Sequence, residues 1–364
     1  MKIAMVLNYY FPYGGLQRDF VRIAREATRR GHDVVAVVED WQGPPVEGLE
    51  IRRLHMEARS NHVRIRRFSK AVAQIRQTSE FDCILGFNRL AGLDVYFAAD
   101  SCFAARLQGW KRLFRWFPRY STYLGLEREV TGPTGPLFLF LNDDQLQQYQ
   151  QFYSLKPERY RVLPPGIEPD RKRPANHADL RREVRQAIGV TQDDQLLLFL
   201  GSGFRVKGLE RAIKALAAQD DHVHLMIVGS DSAEPYLKGL EPDLLRRIHV
   251  LGPRDDVPAL MQAADLLLHP AYRESAGMVL LEATVAGLPV LVTDTCGYAR
   301  IVEEAGSGMV LPSPFRQDEL DDLLHRMLRE VPGVWQKQGL EYAKAPELYR
   351  LPETVMDYVE MASQ

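Results

Sequence analysis

Two runs of alternating apolar strand and glycine-started helix, one in each half of the chain, restrict this sequence more than any other feature. KIAMVLN (2–8) is almost continuously apolar, as a strand covered on both faces must be. Gly14-Gly15 then precede LQRDFVRIAREATRR, where Leu16, Phe20, Ile23 and Ala27 recur at helical spacing. Gly31 stops that helix before a second strand, DVVAVVE (33–39). CILGF (83–87), DVYFAA (94–99) and PLFLFL (136–141) read as further strands. YRVLPPGIEPDRKRP (160–174), with four prolines and a charge cluster, has the composition of a linker. The alternation then restarts. QLLLFLG (195–201), HVHLMIVG (222–229), DLLLHP (265–270) and LPVLVTD (288–294) read as strands. KGLERAIKALAAQ (207–219) and ESAGMVLLEATVAG (274–287) supply helices, and the amphipathic LPETVMDYVEMA (351–362) closes the chain.

Such alternation favours α/β folding with parallel, doubly wound sheets. The length of 364 residues suits two Rossmann-like domains of ~150–180 residues each. The first is expected over 1–165, with a final helix at about 346–364 packing back on it, and the second over 166–345. Ligands in these sheets bind beyond the carboxyl ends of the strands. The chemistry is therefore expected in the loops after residues 7, 99, 201, 229, 252 and 270.

Composition removes several classes. No stretch reaches the ~20 apolar residues that span a bilayer, and the first apolar run flows into a glycine turn and helix rather than a signal-peptide cleavage site. Cys83, Cys102 and Cys296 lie far apart without a CxxC pair, which fits free thiols in a reducing cytosol. His222 and His224 read as strand residues at a sheet edge rather than metal ligands. Through residue 165 there are 24 Lys/Arg against 17 Asp/Glu, and beyond it 22 against 31, so an anionic partner is expected for the first half.

Two constellations carry chemistry. GSGFRVKG (201–208) follows a strand and opens a helix, where N–H groups and a positive helix end meet an anion. Arg205 and Lys207 add full charge there, suited to a leaving diphosphate; the plainer alternative is a tight turn with two solvated cations. Glu274-Ser-Ala-Gly-Met-Val-Leu-Leu-Glu282 sets two carboxylates eight apart behind DLLLHP. Carboxylates accept from vicinal hydroxyls such as those of a ribose or hexose, and Ala276 and Gly277 permit close backbone approach. The alternative is a helix-start charge for Glu274 and a surface position for Glu282.

The order PPGI linker, G-x7-G with Lys-Gly, E-x7-E and EA-x3-G-x-PV resembles the large retaining glycosyltransferase family (family 4) with the GT-B fold, two Rossmann-like domains facing across a cleft. YFPYGGLQRDF, GFNRLAGLDVYFAAD, ADLLLHPAY, VLLEA and AGLPVL are similar to its lipopolysaccharide core glucosyltransferase branch, over essentially the whole chain. The resemblance implies that Gly14 and Gly15 let the first helix approach the donor diphosphate and acceptor. It implies that Lys207, with Arg205, neutralises the diphosphate. Glu274 would hold hydroxyls of the transferred sugar and Glu282 the ribose, while N–H groups of Ala276, Gly277 and Met278 contact sugar and phosphate. Arg254, in GPRDD (252–256), would serve the base. Two departures stand out: Ser202 occupies the position where relatives carry Arg, and ESAG replaces a bulkier EGFG.

Asp100 ends DVYFAAD, and the resemblance gives that position a polar residue near the sugar. It either positions the acceptor hydroxyl or accepts its proton, or it makes a loop hydrogen bond; Asp19 is a second acceptor-side residue. No Asp-x-Asp pair occurs, so cations and helix ends are expected to replace a metal, with no cofactor. Same-face attack follows from the resemblance.

FAARLQGWKRLFRWFPRY (103–120) holds Arg106, Lys111, Arg112, Arg115 and Arg119 with no acid, among Trp110, Trp116 and other apolar residues. That is the composition of an interfacial amphipathic helix on an anionic membrane, or else of a solvated helix covering core. ARSNHVRIRRFSKAVAQIR (58–76) adds six cations. The acidic second half and the lack of an RNA-binding signature disfavour nucleic acid.

The expectation is a peripheral enzyme on the cytoplasmic face of the inner membrane. It would move a hexose, glucose first, from a UDP-sugar to an inner-core heptose of lipopolysaccharide. The rivals are galactose or N-acetylhexosamine transfer, a UDP-N-acetylglucosamine 2-epimerase type, and a non-catalytic nucleotide-sugar-binding module.

Overall fold

The structure, a computed structural model, describes residues 1–12, 14–274, 276–329 and 333–363; Tyr13 and Ser275, which fall in motifs quoted above, lie outside the described residues. The chain forms two compact units, Met1–Gly166 with Arg350–Gln364, and Ile167–Tyr349.

Unit 1 is a seven-stranded parallel sheet. Its strands are β1 (Lys2–Tyr10), β2 (Asp33–Trp41), β3 (Glu50–Arg53), β4 (Cys83–Gly86), β5 (Val95–Ala98), β6 (Leu137–Phe140) and β7 (Tyr160–Val162), in the order β3-β2-β1-β4-β5-β6-β7. The order reverses between β1 and β4, so the loops after those strands open side by side. Ile3, Met5 and Leu7 pack one face of the sheet, and Ala4 and Val6 the other. This double coverage is why the strand reads as an unbroken apolar run. The helix Leu351–Ala362 buries Leu351, Val355, Met356 and Val359 in the same core as helix Gly15–Arg29. Arg30 fastens the pair, 2.7 Å from Asp357 and 3.1 Å from Glu360.

Unit 2 is a six-stranded parallel sheet of β8 (Gln195–Leu200), β9 (Val223–Val228), β10 (Ile248–Gly252), β11 (Leu266–His269), β12 (Val290–Thr293) and β13 (Gly308–Leu311), ordered β10-β9-β8-β11-β12-β13. Here the reversal falls between β8 and β11, which brings the two loops singled out in the sequence together. Four short strands (β3, β7, β10, β13) carry too weak an apolar pattern to stand out in the sequence. One of them, β10, is the edge strand next to β9. His224 is therefore not at a sheet edge; its Nδ1 lies 3.1 Å from Nε2 of the stacked His249 on β10.

Three helices differ from expectation. Residues 207–219 are split at Gly208 into Phe204–Lys207 and Leu209–Ala217. Gly208 has φ +81°, and a Cβ there would meet the Pro270 carbonyl oxygen at 2.2 Å, so no other residue fits. The helix expected over 274–287 runs only over Met278–Ala286, after the N-cap Gly277 at φ +87°. The basic aromatic stretch is not one amphipathic helix. It forms 3₁₀ turns Ala104–Arg106 and Gly109–Trp116, then α-helix Pro118–Thr131, because Gly109 adopts φ +56° and Pro118 starts a new helix.

Candidate active site

Lys207 and Glu274 meet at the switch point of unit 2. Lys207 ends the single-turn helix that follows β8, and its side chain passes over Gly201, where a Cβ would lie 3.2 Å from Cε. Glu274 sits in the loop after β11, its backbone bridged to Cys296; its N–H donates to Thr295 O and its carbonyl accepts from Gly297 N. The Lys207 ammonium forms an ion pair with the Glu274 carboxylate, and each side chain keeps about a fifth of its surface exposed. Burial raises the carboxyl's pKa, but the nearby His269 ring and the Lys207 charge outweigh it and hold it at about 2.

His269 is the residue that sequence reasoning missed. It ends β11, is fully buried, and its Nε2 lies 3.8 Å from Glu274, too far for a hydrogen bond. Burial drives its pKa below 6.5, which favours the neutral ring, and neither ring nitrogen has a hydrogen-bond partner among the described residues. A histidine closing the apolar run DLLLHP was the available signal. Arg211 is a second omission. It lies 3.6 Å from the ring centroids of both Tyr272 and Phe315 and donates to Pro270 O and Ala271 O, fixing the loop that carries Glu274.

Glu282 is not a surface residue. It lies in a helix in which every residue from Leu280 to Ala286 is buried, and it is only 6% exposed. A carboxylate so placed requires a partner; Arg171 from the proline-rich linker approaches to 3.9 Å. Gly277 caps this helix with no side-chain cap, so the N–H groups of Met278 and Val279 have no acceptor within the helix, whereas Leu280 N donates to Gly277 O at 2.9 Å. Ala276 is tied by its carbonyl to Tyr298 N at 2.7 Å.

Other expected donor residues are less engaged with this point. Arg205 is exposed on the same single turn as Lys207. One N–H of that turn is already taken, since Phe204 N donates to Asp231 at 3.1 Å. Ser202 pairs with Ser230 at 2.8 Å. The Arg254 guanidinium is chelated by Asp256 at 2.8 and 2.5 Å.

In unit 1, Gly14 is the N-cap and Gly15 the first residue of helix Gly15–Arg29. A Cβ on Gly14 would collide with Gln17 at 1.8 Å, whereas Gly15 faces open space. Asp19 is nearly buried and ion-paired with Arg22 at 3.1 Å. Asp100 lies two residues past β5 and half-exposed, with its Oδ2 3.7 Å from Arg89 Nε. Arg89 in turn pairs with the fully buried Glu127. Glu127 also accepts from Phe103 N at 2.6 Å, Ala104 N at 2.8 Å and Tyr153 Oη at 2.9 Å. This hub clamps the strand-end loop of Asp100 to the start of the basic aromatic segment. A lone Arg and Glu 38 residues apart gave no sequence signal for it.

That segment carries an exposed apolar surface. Trp110 and Leu113 are each 71% exposed and Trp116 82%, beside exposed Phe117, Lys111, Arg112 and Arg119. Arg115 is half-buried, and Arg106 turns back to the Ser101 hydroxyl. Phe114, stacked on Tyr120 at 5.5 Å, roots the turn. Among the described residues no helix is long and apolar enough to cross a membrane.

The chain is similar to known proteins over nearly its whole length. Residues 181–334 match the family model for glycosyl transferases group 1. The lipopolysaccharide glucosyltransferase WaaG of Escherichia coli K12 is 40% identical, over 99% of this chain and 98% of its own. The crystal structure of WaaG, a glycosyltransferase involved in lipopolysaccharide biosynthesis, superposes with a TM-score of 0.90 at 39% identity, covering 98% of this chain and 99% of that one. Anabaena HepE in complex with UDP-glucose shares the fold at 17% identity, with a TM-score of 0.76 over 99% of this chain and all of its own.

Proposed function

Since the chain belongs to the group 1 glycosyltransferases and has their GT-B fold, we propose that it is a retaining hexosyltransferase that moves glucose from UDP-glucose to an inner-core heptose of lipopolysaccharide. One observation supports this above the others: Lys207 and Glu274 meet at the sheet's switch point beside the start of a helix without a side-chain cap, and the same helix holds the buried Glu282. The site holds a cation for a diphosphate, orphan N–H groups for its oxygens, and two carboxylates for sugar and ribose hydroxyls.

In this reading the Lys207 ammonium leaves Glu274 for the donor diphosphate, and Glu274 turns its carboxylate to the hexose hydroxyls. The bond from the anomeric carbon to the diphosphate oxygen breaks as the acceptor oxygen bonds from the same face. The electron pair goes to the diphosphate, where Lys207 and the N–H groups stabilise the charge without a metal. Asp100 takes the proton of the acceptor hydroxyl, or positions that hydroxyl while the departing diphosphate oxygen takes the proton. Ser202 leaves the second cation of the pocket to Arg205. Arg254 serves the uracil by opening its chelate with Asp256. Asp19 and the glycine pair contact the acceptor side.

The exposed Trp110, Leu113 and Trp116 with their neighbouring cations support a peripheral position on the cytoplasmic face of an anionic membrane, where a glycolipid acceptor would lie. The test is a thermal-shift panel of UDP- and GDP-sugars followed by turnover on heptose-terminated lipopolysaccharide in excess EDTA. Stabilisation by UDP-glucose and undiminished transfer are expected. Preference for UDP-galactose or a UDP-N-acetylhexosamine would replace the donor, and loss of transfer in EDTA would reject the metal-free step.

A further inference from the structure

The proline-rich linker contributes two arginines with different fates. Arg171 turns to Glu282, whereas Arg173 lines a cavity of about 190 Å³ at the opposite end of unit 2's sheet, where β11 and β12 begin. Arg181, His177, Gln262, Asp265 and Gln336 share its wall. The one acid there is already committed: Asp265 accepts from Arg181 at 2.7 Å, from the fully buried Arg185 at 3.2 Å and from Leu196 N at 2.7 Å. Arg173 has no hydrogen bond or ion pair among the described residues, and its Nε is buried. Burial and the neighbouring Arg181 both act against its charge. Three guanidiniums, Arg173, Arg181 and the buried Arg185, thus share one carboxylate, which pairs with Arg181 and Arg185 and leaves Arg173 beside an imidazole and two amides.

We propose that this cavity is a second anion site, separate from the nucleotide-sugar loops, that takes the phosphate group of a small soluble molecule. A phosphate oxygen pair matches the fork of Arg173, relieves its repulsion with Arg181 and leaves further oxygens for His177 and the amides. The site lies wholly within unit 2 and does not depend on the sugar acceptor.

The probe is inorganic pyrophosphate, titrated into protein held in saturating UDP so that the Lys207 loop is filled, against sodium chloride at equal ionic strength. The unfolding midpoint of the wild type is expected to rise by about 3 °C. Arg173→Gln is expected to lose that rise while keeping the full stabilisation by UDP, which shows that the fold and nucleotide loops are intact. Arg173→Lys, with the charge but not the fork, should give an intermediate rise. A wild type that pyrophosphate does not stabilise, or an Arg173→Gln protein stabilised equally, would overturn the proposal.

Discussion

At Glu274 burial and charge pull in opposite directions, and charge wins. Its carboxyl lies at about 2 in the folded chain against an ordinary 4.5. Stability from this shift is complete above about 4.5 and is lost as pH falls toward 2. His269 adds an earlier loss, because its buried neutral ring resists protonation and stability falls as pH drops below 6.5. Urea midpoints between pH 7 and 3 should therefore decline more steeply in the wild type than in Glu274→Gln; parallel declines would contradict the pairing. Lys207→Ala is expected to lower kcat by roughly 10²–10³-fold, the magnitude for one lost oxyanion donor. Asp100→Asn separates the two roles of Asp100: loss of a proton acceptor collapses kcat, whereas loss of a positioning residue raises KM with kcat little changed. Lys207 and Glu274 were legible because each follows an apolar strand run in a glycine-containing loop, and Glu282 because it stands eight residues beyond Glu274; their roles came from the resemblance. His269, Arg211 and Arg89 were not, because their partners come from other elements and no periodicity records them.

At the scale of elements, the Glu127 hub and the basic aromatic segment belong together. Glu127→Gln leaves Arg89 buried without its carboxylate and should cost about 3 kcal/mol in urea unfolding; a loss under 1 kcal/mol would show that the hub is not structural. The exposed 3₁₀ turn makes a separate prediction. Each cation near an anionic bilayer contributes ~1 kcal/mol, so reversing Lys111 and Arg112 to Glu should weaken binding to phosphatidylglycerol vesicles by at least about 100-fold. Sedimentation with vesicles reads this directly, and unchanged binding would remove the membrane role. The sequence announced the composition of this segment but not its form. Gly109 and Pro118 break it into turns, where the composition of 103–120 alone suggests a single helix. Glycine had the same effect at Gly208 and Gly277, where positive φ moves a helix start beyond the residue that spacing suggests.

Across the whole molecule, two parallel sheets account for both the legible and the hidden parts of the fold. Strands covered on both faces, such as β1 and β8, read directly from apolar runs. Short strands such as β3 and β10 are only partly covered and do not. Strand order was hidden as well, yet it is the reversal between β8 and β11 that joins residues 207 and 274. That junction carries the central claim, a donor site that hands a hexose to a heptose with retained configuration. The direct measurement is proton NMR of the product formed from UDP-glucose and heptose-terminated lipopolysaccharide. A new anomeric signal with the small coupling of an α-glucoside is predicted, absent with Lys207→Ala. A β-linked product, or no transfer by the wild type, would contradict the account.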